Sequence, residues 1–102
     1  MFFHITMTHK PEDCPAYFPP DKQKEFFLLA ENMPHAAREK GIDILFFITG
    51  VGHIMYALVE ATDFNALNGF FGGMQIKQDF QVEPVGHIKD VISAFKEELG
   101  KK

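Results

Sequence analysis

The sequence predicts an α+β fold of the ferredoxin-like kind, extended by one C-terminal helix. Three observations predict it. Short apolar stretches alternate with period two at Phe2–Thr8 and Gln75–Glu83, as half-buried strands do. Apolar residues recur at helical spacing in three other stretches. The resulting order is strand, helix, strand, strand, helix, strand, then helix, the split βαβ pattern.

The first strand sets Phe3, Ile5 and Met7 on one side and Phe2, His4, Thr6 and Thr8 on the other. One face is apolar and one is mixed. Lys10 to Pro20 holds four of the six prolines, so it reads as a loop that is stiff without being regular. Loops of that length in small domains often carry function. Asp21 is placed to cap a helix beginning at Lys22, with Phe26, Leu29 and Met33 at helical spacing. Pro34 interrupts it: either the helix kinks, or a short second turn starts there and runs to Lys40. Gly41 is the C-terminal stop.

Asp43–Thr49 reads as a buried strand, Gly50-Val-Gly52 as a tight turn, and His53–Ala61 as the return strand of a hairpin. Thr62-Asp63 caps a second helix carrying Phe64, Leu67, Phe70 and Phe71, stopped by Gly72-Gly73. Pro84 and Gly86 close the strand Gln75–Glu83. Ile88–Leu99 is an amphipathic helix with Ile88, Val91, Ile92, Phe95 and Leu99 on one side.

Composition narrows the function classes. At 102 residues the chain has room for one domain, 1–102, and 46% hydrophobic residues with twelve Phe supply its core. Net charge is −4 and no basic patch is visible, which argues against nucleic-acid binding. A single cysteine cannot form an internal disulfide, so a cytoplasmic protein with Cys14 kept as a thiol is expected. The opening Met-Phe-Phe-His lacks the basic region of a signal peptide. No apolar run approaches the roughly 20 residues that span a bilayer, so no membrane partner is expected.

An antiparallel sheet with helices on one face leaves its other face open. Here that face takes Phe2, Thr6 and some of Leu45, Phe47, Thr49, Tyr56 and Leu58, more apolar surface than a monomer normally exposes. Homodimerisation through it is the simplest cover.

The run Gly50-Val-Gly52-His-Ile-Met-Tyr56-Ala-Leu-Val-Glu60-Ala-Thr-Asp63 resembles the third strand and second helix of small dimeric α/β-barrel domains, most of all the GYD-type domains of unknown function. Those domains show a Gly before this strand, an acidic residue at its end and an Asp opening the next helix, matched by Gly52, Glu60 and Asp63. Gln78-Asp-Phe80-Gln-Val82-Glu-Pro84 resembles their closing strand. The resemblance covers about residues 40–86. It implies a dimer with two facing sheets and no particular reaction, since the superfamily holds monooxygenases, isomerases, haem-binding proteins and ligand-sensing modules.

Two constellations are candidates for chemistry. His9 ends the first strand, His53 opens the third, and Cys14 lies on the loop between the first strand and helix. Antiparallel pairing of those strands brings all three to one rim. Two imidazoles and a thiolate suit Zn, Cu or Ni, with Glu12 or Asp13 as a further donor, and the same trio suits a thiol nucleophile with a histidine base. The plainer reading makes the histidines exposed strand ends and packs Cys14 beneath the prolines. The second constellation is His4, Tyr56 and Glu60. On a shared face they offer an imidazole, a phenol and a carboxylate to a small carbonyl compound. The plainer reading is a hydrogen-bonded buried trio, or residues on opposite faces.

The expected function is thus a small homodimeric binding protein for a metal ion or small molecule. The alternatives are a cofactor-free isomerase or monooxygenase using His4 with Tyr56 or Glu60, and a non-catalytic dimerisation module.

Overall fold

A computed structural model of the chain describes residues 1–73 and 77–101. The strands are β1 (Phe2–Thr8), β2 (Ile42–Gly50), β3 (Ile54–Ala61) and β4 (Asp79–Val85). The helices are α1 (Pro20–Glu39), α2 (Phe64–Phe71) and α3 (Ile88–Gly100). The four strands form one antiparallel sheet in the order β2-β3-β1-β4. This α+β arrangement is compatible with a ferredoxin-like fold.

The period-two pattern of β1 does what its residues dictate. Phe3, Ile5 and Met7 are buried while their neighbours are half-buried. Ala57, Val59 and Ala61 of the adjacent β3, and Ile42 of β2 one strand further out, join them in the core. Ala37 of α1 with Leu67 and Phe71 of α2 close this core from the helical side. A side chain such as Ile5, fully removed from water, contributes about 1.5–3 kcal/mol by its transfer alone.

Asp63 is the N-cap of α2, its carboxylate accepting from the Ala66 N–H at 2.8 Å, and Gly72 is the C-cap. Gly41 ends α1 at φ 77°, a backbone state that favours glycine, and donates to the Arg38 carbonyl.

Four local expectations change. First, α1 starts at Pro20 and not Lys22. Proline is preformed for a first helical position, so Asp21 falls inside the first turn and Pro19 is the cap. Second, of the two readings of Pro34 the separate short turn falls away: α1 is one helix that continues through Pro34 to Glu39, because losing one backbone hydrogen bond on its exposed side does not end it. Third, Leu45 is an extra residue in β2, a bulge between Ile44 opposite Val59 and Phe46 opposite Leu58. The bulge reverses the alternation, so Phe47 packs toward the core while Phe46 and Ile48 take the open face. Fourth, β4 runs through Pro84, which is tolerated because β4 is an edge strand. The expected start of that strand at Gln75 and Ile76 lies outside the described residues.

Candidate metal centre

The rim that gathers the candidate residues follows from the pairing of β1 with β3. Thr8 stands opposite Ile54, so the residues just beyond, His9 and His53, leave the sheet together. The His9 N–H donates to the His53 carbonyl at 3.2 Å and carries the ladder one step past the strand. His53 is not a strand residue, as its sequence position suggested. It is the last residue of the β2–β3 turn, at φ 63° directly after Gly52 at φ 87°. His53 is the sole non-glycine residue with positive φ among the described residues. The left-handed region costs an L-residue with a Cβ, and such positions recur where a side chain has a task.

Cys14 reaches the same rim from the proline-rich loop. That loop is two 3-10 turns, Pro11–Asp13 and Pro15–Tyr17, each opened by a proline. Cys14 links them in an extended conformation. Its N–H donates to the Pro11 carbonyl at 3.2 Å, and its own carbonyl accepts from Tyr17 at 2.9 Å. The loop is tied to α1 by Gln23 Nε2 donating to the Pro15 carbonyl and by Phe18 standing edge-on to Phe26. Lys22 Nζ lies 4.4 Å above the Phe18 ring. Cys14 is therefore held by its neighbours on both sides and is half-buried.

The result is a cluster. One ligand atom each from His9, Cys14 and His53 lies within 4.8 Å of the other two, and all three residues are half-buried. His9 Nε2 and His53 Nδ1 are 3.3 Å apart, with the rings edge to face. Two nitrogens bound to tetrahedral zinc at about 2.0–2.1 Å stand roughly 3.3–3.4 Å apart, so the nitrogen–nitrogen spacing matches that of a zinc pair. It equally fits an N–H···N hydrogen bond between neutral imidazoles. Nδ1 of His9 is buried with no hydrogen-bond partner. Burial pushes the His9 imidazole below the ordinary histidine pKa, the charge of a protonated His53 adds to this, and Asp13 works against both. The neutral form that ligates a metal is thereby favoured. Glu12 and Asp13 stand outside the cluster. Asp13 instead lines an open cavity of about 380 Å³ with Thr8, Lys10, Lys77 and Asp79.

No protein-family model and no curated protein matches the chain. The likeness to GYD-type domains rests on the residues that suggested it, and the chemistry rests on the site.

The second constellation is arranged differently. His4 stands opposite Leu58, and Thr6 stands opposite Tyr56, so the register sets His4, Tyr56 and Glu60 on one sheet face. The His4 and Tyr56 rings are 6.0 Å apart, while Glu60 is exposed near Arg38 and Asp43 at the sheet's end. A carboxylate the sequence reading missed is Glu83, directly opposite His4 on β4. Its even spacing from Gln81 and Asp79 marks its face, but which strand neighbours β4 is a property of topology that local pattern does not carry.

Proposed function

We propose that this chain is a metal-binding protein whose ion is held by His9, Cys14 and His53. The observation that carries the reading is their convergence from three separate segments, a strand end, a proline-held loop and a strained turn. Zinc heads the candidates because a thiolate with two imidazoles is its common donor set, with copper or nickel next. Three protein ligands leave a fourth position for water or a small molecule. One thiol in the chain, used as a ligand, suits a reducing compartment such as the cytoplasm. The working unit is a homodimer of dimeric α/β-barrel type. The open sheet face supports this, since Phe46 and Ile48 are 39% and 53% exposed there beside Leu58 and Tyr56.

Elemental analysis of protein purified without chelator tests the metal. One ion per chain in the wild type, lost in Cys14→Ser and His53→Gly, is expected. Equal metal in wild type and both variants overturns the reading. Cobalt substitution adds a spectroscopic check, because a thiolate ligand gives a charge-transfer band that Cys14→Ser removes.

A second reading, an isomerase or monooxygenase without cofactor, is favoured by one observation. His4 and Tyr56 share the open face that such a dimer would enclose. Glu83, opposite His4, joins Glu60 as its acid–base candidate.

A further inference from the structure

α3 is an amphipathic helix whose apolar side is exposed. None of its residues is buried, and Ile88, Phe95 and Leu99 are 63%, 66% and 69% exposed, with Val91 and Ile92 between them. A helix of 13 residues is marginal in water by its local interactions, so its stability must come from packing. It finds little in its own chain. The radius of gyration is 17.0 Å and the longest axis 63 Å, where a compact chain of this length has a radius near 13 Å. The exit is short and directed. Val85 ends β4, Gly86 and His87 follow, and His87 Nδ1 caps α3 by accepting from the Lys89 N–H at 3.0 Å.

The same chain carries a second uncovered apolar surface. A groove of about 180 Å³ runs between α1 and α2, lined by Phe26, Leu29, Ala30 and Met33 of α1 and by Phe70 of α2. Its α1 side extends from Phe26 to Ala36, about 15 Å at the helical rise. The α3 stripe from Ile88 to Leu99 extends about 16 Å. Both use positions three and four apart, the spacing at which one helix seats on another.

We propose that α3 is an exchanged arm that lies in the α1–α2 groove of a second copy of this chain. The inference rests on the homodimer reading above and adds a second contact to it. One reciprocal pair of contacts covers both surfaces on both copies, as two-fold symmetry requires. Pairing α3 of one copy with α3 of the other would leave both grooves open. Five large side chains, each about half exposed, place on the order of 450 Å² on each arm. With the grooves counted, two arms reach the roughly 1,200–2,000 Å² of a standard interface.

The test uses the full chain in a Cys14→Ser background, with Ala30→Cys and Phe95→Cys made as separate proteins. Mixed under mild oxidation, the two should give a disulfide-linked species of twice the chain mass. Phe95→Cys alone should give little. Efficient linkage of Phe95→Cys to itself, or none in the mixture while the wild type is dimeric, overturns the arm and spares the homodimer. A wild type at the 11.6 kDa monomer mass at micromolar concentration overturns both. In Cys14-containing protein, Ile92→Asp with Phe95→Asp should weaken dimerisation at least tenfold, and an unchanged dissociation constant overturns the arm.

Discussion

Nε2 of His9 lies 3.3 Å from Nδ1 of His53, forty-four residues further along the chain. The β1–β3 ladder makes the meeting, because His9 and His53 are the residues just past its last pair, Thr8 and Ile54. His53 accepts a left-handed backbone to be there, and that separates two roles for it. If its imidazole only fills space, glycine should serve the turn as well or better. His53→Gly without metal is expected to unfold within about 1 kcal/mol of wild type, since glycine gains at positive φ what it loses in chain entropy. The same variant should hold no metal. Urea denaturation and elemental analysis read the two effects separately.

Acid should destabilise the metal-free protein through His9. Its folded pKa lies below the ordinary 6.5, so the unfolded chain binds that proton first as pH falls. The stability is present above 6.5, is lost as pH drops from 6.5 through the folded value, and levels off below it. Urea midpoints taken between about pH 7.5 and 5 should fall, and His9→Gln should flatten that fall. A dependence identical in His9→Gln would assign the effect elsewhere.

Asp63 caps α2 through the Ala66 N–H, and α2 brings Leu67 and Phe71 to the core. Asp63→Ala should cost about 1 kcal/mol, and Asp63→Asn should recover most of it because the amide oxygen also accepts. Matched denaturation curves with unchanged slopes are the measurement.

Pro34 sits well inside α1 on its exposed side and supplies no N–H to the Ala30 carbonyl. Pro34→Ala restores that hydrogen bond and should stabilise the protein by about 1–3 kcal/mol. A lower thermal midpoint would show that α1 needs its proline for shape.

Much of this was legible locally. Phe3, Ile5 and Met7 announce the buried face of β1, and Thr62-Asp63 announces α2. His9, Cys14 and His53 were brought together by one inference about topology. What stayed hidden depends on contacts between elements. The extra residue at Leu45 is visible only against a partner strand, so Phe47 stood among the candidates for the open face although it packs on the core. Glu83 was missed because no local signal says that β4 lies beside β1. Leu29 shares a helical stripe with Phe26 and Met33 and is nonetheless exposed, while α1 buries only Ala37. Helical periodicity states which residues share a stripe and is silent on whether anything packs against it.

The two outer strands of the sheet carry interruptions, the Leu45 bulge on β2 and Pro84 on β4. A strand added side by side would meet a twisted ladder at one margin and a missing donor at the other. Unbounded growth of the sheet from chain to chain is thereby discouraged at both ends. The proposed homodimer uses a sheet face and α3 instead, and contacts of that kind can close on a fixed number of copies. For a chain with this much uncovered Phe, Ile and Leu, the two interrupted margins lower the risk of fibres.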